Sequence, residues 1–262
     1  MKSKFKNKEK IKFKAFCTFV VNFEIKKLEM AKRKSGKTRI AINGFGRIGR
    51  LTFRNLMNNR KIEVVAINDL TDNKTLAHLL KYDTAHGPFE GTVKATDEHI
   101  IVGRKKILAT AIRNPADLPW KKNKVDAVLE CTGIFRTHEQ ASLHLQAGAK
   151  KVILSAPAKG DGIKTIVLGV NDANIKRTDK ILSNASCTTN CLAPLVKVIQ
   201  ENWGMVQGSM TTIHAYTGDQ NIQDAPHSDL RRARAAALNI VPTSTGAADA
   251  VNEVIDGIAG KM

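Results

Sequence analysis

Short apolar runs alternate with amphipathic stretches over much of the sequence between residues 38 and 186. The runs are rich in Val, Ile, Leu and Ala and lack polar alternation, which is typical of strands buried on both faces of a parallel sheet. Predicted strands cover residues 39–43, 63–69, 125–130 and 151–154, and predicted helices cover residues 47–58 and 139–149. This alternation predicts an α/β fold with a doubly wound parallel sheet.

A glycine-rich segment directly follows the first predicted strand and begins the first predicted helix. The segment consists of Gly44, Phe45, Gly46, Arg47, Ile48 and Gly49. Gly44 permits a tight turn, Gly46 lets the backbone approach a pyrophosphate, and Gly49 permits close helix–strand packing. Asp69, at the end of the next strand, would hydrogen-bond ribose hydroxyls and repel a 2′-phosphate. The arrangement predicts a Rossmann-type domain that binds NAD; the alternative is an α/β domain whose glycines serve only packing.

Polar residues that follow the other predicted strands are further candidates for cofactor contacts. An open sheet binds its ligand beyond the carboxyl ends of its strands. The candidates there are Arg113, Thr132 and Ser155. By contrast, His138 and His144 are expected at the surface, and Trp120 is expected to pack in the core or an interface.

A hydroxyl-rich run with a cysteine at its centre, residues 183–194, leads into a predicted helix over residues 192–200. The free amides and dipole of a helix N-terminus favour a thiolate over a thiol. Cys187 is therefore a candidate nucleophile. The alternative is that Cys187 is a small buried residue and that the neighbouring Ser and Thr residues only cap the helix.

The composition is that of a globular chain with an unusually basic beginning. Of the formal net charge of +18, residues 1–37 contribute +10, from thirteen Lys or Arg against three Glu. This extension is expected to be disordered. Binding to nucleic acid or to an anionic membrane surface is one interpretation of its charge, and a solvated leader without a partner is the favoured one. Its apolar patch, residues 15–23, is too short to span a bilayer.

The cysteines indicate a reducing compartment. Cys17, Cys131, Cys187 and Cys191 lack the paired spacing of a disulfide framework or of a structural zinc site. We therefore expect a cytoplasmic protein without a bound metal. At 262 residues and 42% hydrophobic content, the chain has the size of one large or two ordinary domains.

Four segments of the chain resemble phosphorylating glyceraldehyde-3-phosphate dehydrogenases. They are residues 42–50, 183–194, 211–217 and 243–248, and the resemblance extends from about residue 38 to residue 262. It implies a glycolytic oxidoreductase that uses NAD and inorganic phosphate to convert glyceraldehyde 3-phosphate into an acyl phosphate. By this resemblance Cys187 is the nucleophile and His214, on a strand-like segment, is its base. The alternative for His214 is a hydrogen-bonded core histidine.

The resemblance also implies two phosphate sites and a homotetramer. The attacking phosphate would contact Ser186, Thr188, Arg231, Thr245 and Gly246, and the substrate's phosphate would contact Thr217. Residues 218–239 are similar to a loop that crosses the family's tetramer beside a neighbouring subunit's cofactor. Because Ala225 stands where NAD-using members carry a bulkier residue before proline, residual use of NADP stays open.

The predicted organisation is a basic extension (1–37), an NAD-binding Rossmann domain (38–186) and an α+β catalytic domain (187–262). We expect the last domain to be truncated, since family members continue beyond a helix predicted here over residues 248–258. The missing parts would include further strands, a second substrate-phosphate arginine and a nicotinamide-fixing asparagine. Weak NAD binding and little activity are then expected. The alternatives are an inactive fragment and an erythrose-4-phosphate dehydrogenase.

Overall fold

The computed structural model describes residues 36–262, so the predicted basic extension lies almost entirely outside the described residues. The chain divides into two compact units, the first ending at Ser186 and the second beginning at Cys187. The boundary therefore falls immediately before the candidate nucleophile.

A nine-stranded sheet forms the centre of the first unit. The strands are β1 (Thr38–Asn43), β2 (Ile62–Asn68), β3 (Val93–Ala95), β4 (His99–Val102), β5 (Lys105–Thr110), β6 (Ala127–Glu130), β7 (Lys151–Leu154), β8 (Lys164–Thr165) and β9 (Ile181–Ser183). Their order in the sheet is β3-β4-β5-β2-β1-β6-β7-β9-β8. In the part of the sheet that runs β5-β2-β1-β6-β7-β9-β8, every neighbouring pair is parallel. The strands β3, β4 and β5 form an antiparallel meander. The prediction of a doubly wound, mainly parallel sheet is confirmed.

Three helices connect strands of this sheet: α1 (Arg47–Leu56), α2 (Asn73–Lys81) and α3 (His138–Gln146). Asp72 caps α2 by accepting a hydrogen bond from the Thr75 amide. Thr137 and Gln140 form a capping box at the start of α3. The helix predicted over residues 139–149 ends earlier than expected because Gly148 adopts a left-handed conformation, with φ of +102°.

Apolar residues on alternate positions of the central strands form cores on the two faces of the sheet. Ile40 and Ile42 of β1 belong to the cluster that contains Phe53 of α1. Ala41, between them, belongs to a second cluster that contains Trp120. Complete burial of a side chain the size of Phe53 contributes about 2–3 kcal/mol to folding. The continuous apolar pattern of the strands thus follows from burial on both faces.

Helices and irregular segments make up the second unit. Helix α4 (Cys187–Trp203) packs against the short helix α5 (Ala247–Asn252), and a 3-10 turn covers Leu230–Ala233. Helix α4 begins five residues before its predicted start, and α5 is shorter than predicted. Residues 187–262, which the structure describes throughout, contain no strand, so the prediction of a strand-like segment at His214 is wrong. A strand requires a hydrogen-bonded neighbour, which this segment lacks.

No helix within residues 36–262 combines the length and the apolar character needed to cross a bilayer. The longest helix in this part of the chain, α4, has 17 residues. A spanning helix needs about 20 predominantly apolar residues.

Candidate active site

The residues predicted to contact a cofactor follow the carboxyl ends of adjacent strands. The glycine-rich segment follows β1, Asp69 follows β2, Arg113 lies in the loop after β5, Thr132 lies after β6, and Ser155 follows β7. These five strands are consecutive in the sheet, in the order β5-β2-β1-β6-β7. The predicted set therefore shares the edge at which an open α/β sheet binds its ligand.

Two glycines of the segment occupy positions that a larger residue would not fit. Gly44 has a φ of +87°, and a Cβ there would lie 2.7 Å from the backbone nitrogen of Thr132. At Gly49 a Cβ would lie 2.1 Å from the carbonyl oxygen of Gly44. A Cβ at Gly46 would meet nothing within 4 Å. Gly44 and Gly49 thus have the turn and packing roles expected of them, and the role of Gly46 beside a pyrophosphate stays a prediction.

Replacement of Gly49 by alanine is expected to destabilise the protein by about 3 kcal/mol, because the added methyl group would clash with the carbonyl oxygen of Gly44 and push the first turn of α1 away from it. The free energy of unfolding in urea measures this effect. Gly46→Ala is the matched control and should cost less than about 1 kcal/mol. Equal destabilisation by the two substitutions would contradict the packing argument.

Asp69 holds the glycine segment in place. Its Oδ2 accepts a hydrogen bond of 2.6 Å from the Phe45 amide, and its Oδ1 accepts one of 2.9 Å from the Thr71 amide. A carboxylate has about four acceptor positions, so two remain for hydroxyl groups of a ligand. The half-buried carboxylate therefore holds the glycine segment and keeps acceptor positions for a ligand, while its contact with a ribose stays a prediction.

Arg47, at the first position of α1, is held by an acidic residue from beyond α2. Its Nη1 donates to Oδ2 of Asp83 at 2.5 Å, and its Nη2 lies 3.1 Å from Nδ1 of His86. Burial opposes ionisation of Asp83, but the His86 amide and the Arg47 guanidinium lower the pKa of its carboxyl group below the ordinary value. The Arg47 side chain stays half-exposed next to the amides that begin α1.

Cys187 and His214 are in contact in the second unit. The Sγ atom of Cys187 lies 3.4 Å from Nε2 of His214, and both residues are exposed. The other ring nitrogen, Nδ1, lies 2.6 Å from the carbonyl oxygen of Ala215. A carbonyl oxygen only accepts hydrogen bonds, so Nδ1 carries a proton, and Nε2 of a neutral ring presents its lone pair to the sulfur. This geometry suits proton transfer from the thiol to the imidazole.

A strained turn precedes the cysteine. Ala185 has a left-handed φ of +57° although it carries a Cβ, and it is buried. Its amide donates to Oγ of Ser183 at 3.1 Å, and that hydroxyl donates to the carbonyl oxygen of Ala156 at 3.0 Å. Left-handed non-glycine residues cost on the order of 1–3 kcal/mol and are common next to functional residues. The turn ends β9 and allows α4 to begin at Cys187.

The other residues predicted to contact phosphate occupy several elements. Ser186 ends the first unit, Thr188 is the second residue of α4, Thr217 lies in an irregular segment, and Thr245 and Gly246 directly precede α5. Thr245 accepts a hydrogen bond of 3.2 Å from the Ala247 amide. Arg231 does not point freely toward a ligand. Its Nε and Nη2 donate to the two carboxylate oxygens of Asp229, at 3.0 and 2.9 Å.

The pairing of Asp229 with Arg231 should be measurable as a lowered pKa of the Asp229 carboxyl group. The Arg231 side chain hydrogen-bonds to Asp229 and lowers the pKa of that carboxyl group from 3.8 to about 2. Because the folded-state pKa is depressed, the pairing is fully present above about pH 4 and is lost as the pH falls through about 2. Arg231→Gln should return the Asp229 pKa toward 3.8 in an NMR titration. Arg234→Gln, which removes a partner of Asp224, is the control, and an unchanged Asp229 pKa in Arg231→Gln would contradict the pairing.

A group of buried polar residues that the sequence patterns did not reveal lies beneath the predicted cofactor site. The prediction of a surface position for His144 is wrong, because this residue is fully buried. Its Nδ1 accepts a hydrogen bond of 3.0 Å from the Trp120 indole, and its Nε2 lies 2.9 Å from Glu130. The core position of Trp120 is confirmed. A buried Trp N–H needs a hydrogen-bond acceptor, so the expected burial of Trp120 was the one sequence signal that could have indicated a buried polar partner.

Two protein-family models match the sequence. The model described as the NAD binding domain of glyceraldehyde 3-phosphate dehydrogenase matches residues 38–138. The model of the C-terminal domain of glyceraldehyde 3-phosphate dehydrogenase matches residues 186–262. The first match lies within the first compact unit, and the second begins at its last residue, Ser186, and covers the second unit.

Curated relatives with the name glyceraldehyde-3-phosphate dehydrogenase are similar over most of the chain. The protein from Mycoplasma pneumoniae is 60% identical over 221 residues, which are 84% of this chain and 66% of the relative. The protein from Thermotoga maritima is 60% identical over 215 residues, 81% of this chain and 64% of the relative. The protein from Clostridium acetobutylicum is 53% identical over 226 residues, 86% of this chain and 67% of the relative. The chain thus spans about two thirds of the length of these relatives.

Proposed function

The chain belongs to the glyceraldehyde-3-phosphate dehydrogenase family, and on this premise we propose that it acts in the NAD-dependent oxidative phosphorylation of glyceraldehyde 3-phosphate. The observation that carries the proposal is the 3.4 Å contact between Cys187 Sγ and His214 Nε2 at the start of α4. Residues 38–186 would bind the dinucleotide, and residues 187–262 would supply the nucleophile and its base.

His214 activates Cys187 in the first step. Nε2 of the neutral imidazole accepts the thiol proton, and the hydrogen bond from Nδ1 to the Ala215 carbonyl stabilises the imidazolium that forms. The thiolate attacks the aldehyde carbon and forms a carbon–sulfur bond. The imidazolium then donates to the oxygen that becomes negatively charged, which gives a thiohemiacetal on Cys187.

The second step converts the thiohemiacetal into a thioester. NAD, when bound, supplies the acceptor for the hydride that leaves the substrate carbon. His214 accepts the hydroxyl proton as the carbonyl group re-forms, so a hydride and a proton, together two electrons and two protons, leave the substrate. Cys187 then carries the acyl group. Inorganic phosphate attacks the acyl carbon, the carbon–sulfur bond breaks, and Cys187 leaves as a thiolate.

Donors for the phosphate groups come from hydroxyl groups, the Gly246 backbone amide and one guanidinium. By the family resemblance, Ser186, Thr188, Thr245, Gly246 and Arg231 bind the attacking phosphate, and Thr217 binds the phosphate of the substrate. Arg231 already makes a bidentate pair with Asp229. We propose that phosphate replaces this carboxylate, since carboxylate and phosphate both accept the two parallel N–H bonds of an arginine.

The proposed cofactor is NAD, held at the carboxyl edge of the sheet. The amides at the start of α1 would bind the pyrophosphate, and the free acceptor positions of Asp69 would bind the adenosine ribose. A carboxylate at this position repels the 2′-phosphate of NADP. Arg113, Thr132 and Ser155 would complete the contacts. A homotetramer in the cytoplasm is the proposed context.

The proposal is tested by following NADH formation from glyceraldehyde 3-phosphate with and without inorganic phosphate. We expect formation to depend on phosphate and the product to be an acyl phosphate that hydroxylamine traps. Erythrose 4-phosphate in place of the triose tests the alternative substrate. A chain whose Cys187 is never acylated would contradict the proposed function, and equal kcat/KM values for NAD and NADP would contradict the role of Asp69.

A further inference from the structure

A row of hydrogen-bonded polar side chains crosses four adjacent strands at the carboxyl edge of the sheet. Each member is the last residue of its strand: Thr110 of β5, Asn68 of β2, Asn43 of β1 and Glu130 of β6. Neighbouring members are also register partners across the strands. His144 and Trp120 continue the row beyond Glu130. We name these six residues the carboxyl-edge network.

The donor direction at one end of the network is fixed by Trp120. An indole N–H only donates, and it donates to Nδ1 of His144 at 3.0 Å. The imidazole proton therefore lies on Nε2, which donates to Oε2 of Glu130 at 2.9 Å. From this end, donors point toward Glu130.

The other end is fixed by a backbone amide. The Ile112 N–H and the Thr110 hydroxyl both donate to Oδ1 of Asn68, at 2.8 and 2.9 Å. The amide nitrogen of Asn68 must then face Asn43, and it donates to Asn43 Oδ1 at 2.8 Å. In turn Asn43 Nδ2 donates to Oε2 of Glu130 at 2.6 Å. Donors from this end also point toward Glu130.

Glu130 is consequently the common acceptor of the whole network. Its second oxygen, Oε1, accepts from the amide and the hydroxyl of Thr132, at 2.7 and 2.5 Å. The side chain is 1% exposed, so no solvent replaces a lost partner. A glutamine would place its NH2 group against donors in either orientation of its amide. Only a carboxylate satisfies all four contacts, and unsatisfied buried polar groups are costly.

The network joins the bases of the loops that carry the predicted cofactor contacts. Asn43 directly precedes Gly44, and Asn68 directly precedes Asp69. Thr132 donates two hydrogen bonds to Glu130, one from its amide and one from its hydroxyl group. A Cβ at Gly44 would lie 2.7 Å from the Thr132 nitrogen, so the glycine segment rests on the backbone that Glu130 holds. A shift of one loop would therefore break hydrogen bonds to the others.

We propose that Glu130 is a positioning residue that sets the relative geometry of the cofactor-binding loops. The identity of the ligand rests on the proposed function, whereas the mechanical coupling of the loops does not. The carboxylate acts through Thr132 and Asn43 and has no need to touch the cofactor.

The test compares Glu130→Gln with Glu139→Gln in the 262-residue chain. The control removes the same charge from an exposed residue in the first turn of α3. At a temperature where unfolding curves show each variant fully folded, we expect Glu130→Gln to raise amide hydrogen exchange about tenfold in residues 44–49 and 131–134 of the ligand-free protein. The Kd for NAD, measured by calorimetry, should rise at least about tenfold. Glu139→Gln should match the parent in both measurements.

The hydrogen-exchange measurement separates this inference from the proposed function. If the parent chain binds no NAD, the proposed function fails, but loop exchange in Glu130→Gln still decides whether Glu130 positions the loops. If Glu130→Gln lowered the melting temperature but left the amide hydrogen exchange of the loops and the Kd for NAD unchanged, the inference would be overturned. Glu130 would then have a purely structural role.

A second pair of variants covers the case in which Glu130→Gln does not fold. Thr110→Val removes the hydroxyl donor at the far end of the network, and Thr110→Ser retains it. We expect exchange in residues 111–113 and the Kd for NAD to rise about threefold in the valine variant relative to the serine variant. Identical exchange and Kd values in the two variants would overturn the inference.

Discussion

Replacement of Cys187 by serine is expected to lower kcat for aldehyde oxidation by at least about 10⁴-fold, because a neutral hydroxyl is a far weaker nucleophile than a thiolate. The substitution removes the sulfur atom that would form the proposed thioester. The fold should be retained, since Cys187 is exposed at the first position of α4 and serine is close to it in size. The Kd for NAD should stay within about twofold of the parent value.

Cys191 provides the matched control for this prediction. It lies four residues further along α4 and is also exposed, but the contact with His214 belongs to Cys187. Cys191→Ser should keep most of the activity. Mass spectrometry of the chain after mixing with glyceraldehyde 3-phosphate and NAD without phosphate should locate the acyl group on Cys187. Acylation of Cys191, or similar losses in the two variants, would contradict the assignment.

The positions of four of the nine strands, β1, β2, β6 and β7, and the glycine geometry could be predicted because they depend on local sequence. Apolar runs define the strands, and the left-handed turn at Gly44 and the close packing at Gly49 need glycine whatever else the chain does. The start of α4 was harder to predict. Residues 187–191 are Cys, Thr and Asn, which have low helix propensity, so the local pattern placed the helix five residues too late.

Sequence patterns could not predict the contacts of residues whose partners are distant in the chain or depend on the folded geometry. His144 follows the surface pattern of a polar helix, yet it is buried because Trp120 and Glu130 hydrogen-bond to both its ring nitrogens. Arg231 was predicted as a phosphate ligand by resemblance, but its pairing with Asp229 depends on the geometry of a 3-10 turn. Neither contact leaves a periodic signal in the sequence.

Replacement of His214 by asparagine is expected to lower the rate of thioester formation by about 10²–10⁴-fold at pH 7. Asparagine can donate a hydrogen bond to the substrate oxygen, but it cannot accept a proton from the Cys187 thiol, whose sulfur lies 3.4 Å from Nε2 of His214. The loss should be smaller at pH 9 than at pH 7, because an unassisted cysteine ionises near pH ~8.5. Single-turnover formation of NADH across this pH range measures the effect.

A histidine away from the cysteine distinguishes a catalytic base from a general effect of losing an imidazole. His138 is exposed at the first position of α3 in the other compact unit, so His138→Asn should leave the rate and its pH profile unchanged. The rate of Cys187 alkylation by iodoacetamide offers a readout that needs no cofactor, and it should fall at pH 7 in His214→Asn only. If alkylation and thioester formation in His214→Asn both kept the parent's pH dependence, the proton acceptor would have to be a group other than His214, and the geometry of the Cys187–His214 pair would serve only to orient the sulfur.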